Sequence, residues 1–131
     1  MTDRTAIIVF SHGSKDPEWA RPLERVQAAV RRLLPDTAVE LAFLERMNPT
    51  LEHAVSKLAD AGANRITIVP LFLAAGGHIK DDLPALIARL QLEHPDVQLS
   101  ATAPLGEDEE MVAAIGAWVA RKHRGQAQGE R

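Results

Sequence analysis

The sequence predicts an α/β fold in which four parallel strands lie in the order 2-1-3-4, with helices on both faces of the sheet. Short apolar segments alternate with longer segments of helical periodicity, which is the pattern of repeated strand–helix units. The first and third apolar segments are almost continuously apolar, as expected for central strands, whereas the second and fourth alternate, as expected for edges. Right-handed connections between parallel strands then favour this order.

The elements follow one another in four strand–helix units. Strands are predicted where apolar residues concentrate or alternate, at residues 5–10, 37–44, 65–73 and 97–105. Helices are predicted where apolar residues recur every three to four positions, at residues 16–34, 48–62, 79–94 and 108–123. Gly62 is typical of a helix stop. Pro22 conflicts with one continuous first helix and indicates a later start or a solvent-facing position.

The composition is that of one domain. A chain of 131 residues, 46% of them apolar and 25% charged, is typical of a single globular domain with its own core. We assign residues 1–124 to this domain. Residues 125–131 form a polar tail that we expect to be disordered.

Composition also argues against several classes of function. The net charge is -3 without a basic stripe, so no nucleic-acid partner is expected. No stretch of about twenty apolar residues is present, so no membrane partner is expected either, and we predict a cytoplasmic protein. The chain has no cysteine, which excludes disulfides, thiolate nucleophiles and cysteine-ligated zinc or iron–sulfur clusters.

The predicted strand order brings two histidines and a carboxylate to one end of the sheet. In open parallel sheets, ligands bind outside the carboxyl ends of the strands where the strand order reverses, here between strands 1 and 3. His12 follows strand 1 and His78 follows strand 3. Glu45 follows strand 2, which lies beside strand 1. We therefore expect these three side chains to converge at the carboxyl ends of the strands. We call this end of the sheet the mouth.

Each of the three residues also has a purely structural interpretation. A histidine after a strand is often a turn residue, His78 could cap a helix, and Glu45 alone would be a solvated charge. Their convergence favours a site over three separate coincidences. The remaining histidines occupy ordinary helical positions, two of them at helix C-termini where positive charge is favoured: His53, His94 and His123. Asp81 and Asp82 are expected only to stabilise a helix start.

Residues near the convergent groups would leave the backbone open and surround the mouth with positive charge. Glycines permit sharp turns and close approach to the backbone, and serines can satisfy backbone groups. The basic residues have an equally good interpretation as solvated loop charges. The candidate binding residues are Ser11, Gly13, Ser14, Lys15, Arg46, Gly76, Gly77 and Lys80.

Three segments resemble the small CbiX/SirB-type sirohydrochlorin chelatases. They are HGSKDP at 12–17, AFLE at 42–45 and VPLFLAAGGHIKDDLP at 69–84. The resemblance covers residues 5–105, and its third segment is the most specific. It implies a flavodoxin-like fold and a cobaltochelatase or ferrochelatase activity. Such enzymes insert Co2+ or Fe2+, or Ni2+ in some relatives, into sirohydrochlorin-type rings for cobalamin or sirohaem synthesis.

The resemblance also implies roles for the candidate residues. His12 and His78 would bind the metal and help to take protons from the ring nitrogens, with Glu45 as a further catalytic residue. The cations that would hold the ring's carboxylates are Lys15, Arg46 and Lys80. Larger relatives contain two copies of this domain, so we expect a homodimer. The divalent metal is a substrate, and no nucleotide, flavin or iron–sulfur cluster is expected.

Three other functions stay open. A non-catalytic carrier of metal or tetrapyrrole would use the same residues without turnover. The HG pair also resembles the motif of phosphohistidine phosphatases and mutases, but those usually place an arginine where this chain has Ser11. A flavin protein is disfavoured because the chain has no tyrosine and only two tryptophans to stack on a flavin.

Overall fold

A four-stranded parallel sheet organises the chain, which the computed structural model describes over residues 3–74, 76–77 and 79–127. The strand order is β2-β1-β3-β4, so the predicted order is confirmed. The strands are β1 (Thr5–Ser11), β2 (Ala38–Phe43), β3 (Arg65–Pro70) and β4 (Gln98–Ala101). The α-helices are α1 (Arg21–Leu33), α2 (Leu51–Asp60), α3 (Ile79–Glu93) and α4 (Glu109–Ala127). Two 3-10 turns cover Pro17–Ala20 and Leu105–Glu107.

The main core lies between the sheet and helices α2 and α3. Alternate side chains of the strands point to this face, because successive residues of a strand project to opposite sides. Leu90 is the one fully buried residue of α3, whereas α2 contributes four buried side chains. The most deeply buried members of the core are Ala6, Ile8, Phe10, Ala42, Leu51, Ala54, Val55, Ile66, Ile68 and Leu90.

The first helical segment is divided, which corrects the predicted continuous helix at 16–34. A 3-10 turn comes first, capped by the Asp16 carboxylate, which accepts a hydrogen bond from the Glu18 amide at 3.0 Å. Helix α1 then begins at Arg21, with Pro22 in its first turn. Proline is tolerated there because the first amides of a helix have no partner within the helix. The conflict raised by Pro22 is therefore resolved by a later helix start.

Helix α1 packs beside edge strand β2, on the opposite side of the sheet from α2 and α3. Gln27 and Arg31 each donate a side-chain hydrogen bond of 2.8 Å to the Val39 carbonyl oxygen. These bonds connect the helix to the strand through backbone atoms. Helices therefore flank both faces of the sheet, as predicted from the sequence.

The boundaries of three elements, β3, β4 and α4, differ most from the sequence prediction. β3 ends at Pro70 rather than at residue 73, and β4 has four residues rather than nine. α4 continues to Ala127, so the first residues of the predicted polar tail are helical, and residues 128–131 lie outside the described residues. Within the described part of the chain, no helix has the length and apolar content needed to cross a membrane.

Candidate active site

His12 lies directly beyond the carboxyl end of β1, on top of a buried aromatic ring. The His12 and Phe72 ring centroids are 4.3 Å apart, with the planes tilted by 43°. Phe72 is 2% exposed and meets Phe10 edge to face, with centroids 5.7 Å apart. His12 itself is exposed. The aromatic contact therefore supports one side of the imidazole at the mouth of the sheet while the residue stays accessible.

Glu45 is placed beside His12 by backbone hydrogen bonds that continue the β1–β2 pairing past the ends of both strands. The Leu44 amide donates to the Ser11 carbonyl at 2.8 Å, and the Glu45 amide donates to the His12 carbonyl at 3.0 Å. The Glu45 side chain is 62% exposed, and its Oε1 lies 3.9 Å from Arg46 Nε. The segment that carries this carboxylate and guanidinium thus runs beside the His12 backbone at the same edge of the sheet.

Gly13 makes this close approach of the two loops possible. Its φ is +93°, a left-handed conformation that favours glycine. A Cβ atom at this position would lie only 1.9 Å from the Glu45 carbonyl oxygen. The glycine of the HGS segment is therefore required by the contact between the His12 and Glu45 segments, a reason that the sequence alone does not reveal.

The other predicted residues of this loop divide into structural and accessible positions. Ser11 is buried, at 4% exposure. Ser14 Oγ accepts a 3.1 Å hydrogen bond from the Asp16 amide, which organises the turn that leads to the 3-10 segment. Lys15 and Arg46 are exposed. Of these four, the two cations are therefore the residues free to meet a ligand from solution.

The segment after β3 lines the other side of the mouth. Gly76 and Gly77 are exposed, and a Cβ atom at either would meet no atom of the described residues within 4 Å. The Gly76 carbonyl accepts a hydrogen bond from the Ile79 amide at 3.2 Å, which joins the loop to the start of α3. The backbone of the two described glycines is thus open on this side, and their role in binding a ligand stays a prediction. His78 lies outside the described residues.

A mostly apolar cavity of about 640 Å³ adjoins the mouth between α3 and edge strand β4. Phe72 lines this cavity and its ring also contacts the His12 ring, so one aromatic side chain borders both the cavity and the histidine. Lys80 and Glu107 contribute charged groups to its lining. This size is within the range of small-molecule sites. Its apolar lining comes mainly from Ile79, Leu83, Ile87, Leu99 and Ala101.

Two features of the mouth were not found by sequence reasoning. The sequence pattern predicts Phe72 and Leu73 to lie in a strand, but β3 ends at Pro70 and both residues belong to the loop. Leu73 is 70% exposed, unlike the buried Phe72. Gly76 and Gly77, which follow the PLFL segment at 70–73, are the feature of the sequence that indicates an early end of the strand. The contact between Phe72 and His12, by contrast, has no signal in the sequence.

The described residues contain no cluster of side chains that could together hold a metal ion. Across residues 3–74, 76–77 and 79–127, no three histidine, aspartate or glutamate residues are grouped so that they could together hold a metal ion. His12 is one of the two predicted metal ligands, and His78, the other, lies outside the described residues. Glu45, predicted as a catalytic residue, is joined to His12 by a backbone hydrogen bond. Imidazole nitrogen and carboxylate oxygen are both suitable donors for divalent first-row metals.

The fold and the mouth together define a class of protein. The chain is a flavodoxin-like α/β protein with an exposed histidine and an open glycine loop at the switch point of its sheet, where this class binds ligands. The model of the CbiX family matches residues 6–122. The chain belongs to the CbiX family.

Curated relatives agree with this assignment. The sirohydrochlorin cobaltochelatase of Methanosarcina acetivorans is 34% identical over 116 residues, which cover 83% of this chain and 89% of the relative. The protein of the same name from Saccharolobus islandicus is 35% identical over 111 residues, covering 80% of this chain and 85% of the relative.

Solved structures share the fold. A CbiX protein from Marinobacter aquaeolei superposes with a TM-score of 0.79 at 32% identity, over 92% of this chain and 98% of that one. SirB from Bacillus subtilis, solved with Fe3+, superposes with a TM-score of 0.75 at 30% identity. The match covers 96% of this chain but 48% of SirB, so the chain spans about half of that protein. A cobalt complex of the sirohydrochlorin chelatase SirB gives a TM-score of 0.69.

Proposed function

We propose that this protein is a sirohydrochlorin chelatase that inserts a divalent metal into the tetrapyrrole ring. The observation that carries the proposal is the position of His12, held on Phe72 beside Glu45 at the switch point of a CbiX-family sheet. The names of the curated relatives and the metal complexes of SirB support it.

The reaction exchanges one divalent metal for two ring protons. We propose that the neutral imidazole of His12, with His78, binds the incoming metal weakly enough to release it into the ring. As the ring nitrogens bond to the metal, their two protons pass to basic side chains at the mouth and then to water. We propose His12 and Glu45 as the acceptors, which the backbone contact between their segments and the exposure of the Glu45 side chain support.

The remaining residues of the mouth would bind and orient the ring. Sirohydrochlorin is a flat macrocycle that carries many carboxylates. The open backbone at Gly76 and Gly77 would admit its flat surface, and the apolar cavity beside Phe72 would receive part of its hydrocarbon edge. The exposed cations would pair with its carboxylates at the rim: Lys15, Arg46 and Lys80.

Cobalt is the metal we propose to test first, because the curated relatives are named cobaltochelatases. The product would then belong to cobalamin synthesis. Iron is the second candidate, with sirohaem as the product, since SirB has been solved with both metals. The donor types at the mouth accept either ion, so a direct comparison of Co2+, Fe2+ and Ni2+ is needed.

We also propose that two copies of the chain form the functional unit. The chain matches about half of SirB, at 48% and 50% of its length in the two complexes. A homodimer of this chain would therefore supply the same number of domains as one SirB molecule. The mouth, which is open to solvent in a single copy, would then face a second domain.

The function is tested by mixing purified protein with excess sirohydrochlorin and Co2+ and following the absorption spectrum. We expect repeated turnover, and His12→Ala should lower its rate by about 100-fold or more, the usual contribution of a positioned proton acceptor. The control is His94→Ala, because His94 follows α3 and precedes β4, at the end of the sheet opposite the carboxyl end of β1. A spectral change that stops at one equivalent would instead identify a carrier. Unchanged turnover in His12→Ala would contradict the role of His12.

A further inference from the structure

Helix α4 carries an apolar stripe that nothing in the described structure covers. Met111, Val112, Trp118 and Val119 are 37%, 47%, 54% and 53% exposed, and Ile115 at the middle of the stripe is half-buried. Their spacing of three, four and seven residues places all five on one face of the helix. Because such a stripe normally faces a core, its exposure indicates an interaction surface.

The helix is also poorly attached to the rest of its own chain. Its main contacts with another element are with the 3-10 turn Leu105–Glu107 that immediately precedes it. None of its described residues belongs to the buried core. A helix of 19 residues that makes so few tertiary contacts is not expected to be stable by itself, since tertiary packing provides most helical stability.

We propose that α4 is a dimerisation helix, which packs antiparallel against α4 of a second copy about a two-fold axis at Ile115. This inference specifies the interface of the homodimer and so rests on the proposed function for the expectation of two copies. The partner of the stripe is a second copy of this chain, because the helix is complementary to its own reversed copy in both apolar residues and charge.

The apolar residues match under this symmetry. Met111 and Val119 lie four residues before and after Ile115, and Val112 and Trp118 lie three before and after. In an antiparallel pair centred on Ile115, each of these residues therefore meets the apolar residue at the mirrored position of the partner helix. A two-fold interface requires such self-complementarity, because both copies present the same surface.

The charges match as well. Asp108 and Lys122 lie seven residues either side of Ile115, and Glu109 and Arg121 lie six either side. The antiparallel pair places the acidic start of each helix beside the basic end of the other, whereas a parallel pair would place like charges together. Lys122 Nζ lies 5.8 Å from the centroid of the Trp118 ring, so this cation already borders the stripe.

The interface is connected to the candidate active site through a short chain of contacts. The Gly106 amide, in the turn before α4, donates a 3.1 Å hydrogen bond to the Phe72 carbonyl. A Cβ atom at Gly106 would lie 1.5 Å from the Leu73 carbonyl oxygen, so the turn fits closely against the loop that supports His12. Pairing of α4 would thus anchor the loops at the mouths of both copies to one interface.

The absence of native cysteines allows a direct cross-linking test. In Ile115→Cys, the two thiols would face each other across the two-fold axis, so mild oxidation of the dilute protein should convert most of it to a disulfide-linked dimer on a non-reducing gel. Ala113→Cys is the matched control, because residue 113 is exposed on the opposite side of α4. It should stay uncross-linked under the same conditions.

A second variant tests the stripe without a new covalent bond. Val112→Glu places a charge in the stripe on an exposed residue, so the fold should be retained by circular dichroism while the protein elutes from gel filtration as a monomer. Failure of Ile115→Cys to cross-link, equal cross-linking of the control, or a dimeric Val112→Glu would each overturn the α4 pairing.

Metal insertion by the wild-type protein, measured beside the cross-linking of Ile115→Cys, separates the two proposals. Turnover by the wild-type protein without cross-linking of Ile115→Cys would support the chelatase function and contradict the α4 interface. Cross-linking of Ile115→Cys without turnover by the wild-type protein would support the α4 interface and contradict the chelatase function.

Discussion

Gly13 shows how one small residue joins two parts of the candidate site. The adjacency of the His12 and Glu45 segments was expected from the neighbouring positions of strands 1 and 2, and the structure has it. The chemical roles of both residues stay predictions. What the sequence did not reveal is that the contact depends on the missing side chain at position 13.

Gly13→Ala should lower both stability and activity. The left-handed backbone alone costs about 1–2 kcal/mol with any side chain. The clash of the new Cβ atom with the Glu45 carbonyl oxygen adds to this cost, because neither atom can move away without a shift of the backbone. Urea unfolding would measure the first effect and metal insertion the second. Gly76→Ala is the control for stability, since its added Cβ would meet no atom. Equal unfolding free energies for the two variants would contradict the argument.

Phe72 illustrates a residue whose role depends on a contact between distant parts of the chain. It lies 60 positions after His12 in sequence, yet their ring centroids are 4.3 Å apart. Alternation of apolar residues predicts that an aromatic residue is buried, but not which side chain it supports. Such a contact is decided by the relative position of two strand ends.

At the scale of elements, α3 is the helix whose attachment matters most to the mouth. It forms one wall of the apolar cavity and follows directly from the glycine loop. Its only fully buried residue among those described is Leu90, near its C-terminal end. The end of α3 next to the mouth is therefore held mainly by half-buried side chains: Ile79, Leu83, Leu86 and Ile87.

Leu90→Ala should cost about 2–5 kcal/mol of unfolding free energy, because it leaves a cavity in the core. Leu90 is 1% exposed and packs in the main cluster. Leu92→Ala in the same helix is the matched control, since Leu92 is 82% exposed and its truncation should change the free energy by less than about 0.5 kcal/mol. Chemical denaturation of both variants provides the comparison. A similar loss in each would mean that α3 does not pack as described.

Proline and glycine account for some helix boundaries but not for all of them: α2 begins at Leu51, after a Thr50 cap, rather than at the predicted Asn48. The break before α1 follows from Pro22, and α2 ends just before Gly62. α4 continues beyond the predicted residue 123 because no proline is present after it, and Gly125 alone does not stop the helix. A single glycine costs a helix only about 1 kcal/mol relative to alanine.

At the scale of the whole molecule, the proposed assembly makes activity depend on protein concentration. If the cleft needs two copies, specific activity should be constant at high concentration and fall on dilution below the dissociation constant of the dimer. Initial rates of metal insertion over a wide dilution series would measure this, with inert carrier protein added to prevent loss on surfaces. Constant specific activity down to concentrations at which gel filtration shows only monomer would contradict a shared cleft.

The sequence by itself determined the strand order and the location of the mouth. Apolar patterning distinguishes central from edge strands, and the handedness of parallel connections then leaves few arrangements. Both signals are local properties of the chain, which is why the order 2-1-3-4 was predicted correctly.

Only the tertiary structure decided what supports the mouth and what remains uncovered. The ring of Phe72 beneath His12, the fit of Gly13 against Glu45 and the bare stripe of α4 all depend on how separate elements pack. A pattern of residues shows that a helix has an apolar face, but whether its own chain covers that face depends on where the helix lies. For α4 the described chain does not cover it, and this points to a second copy.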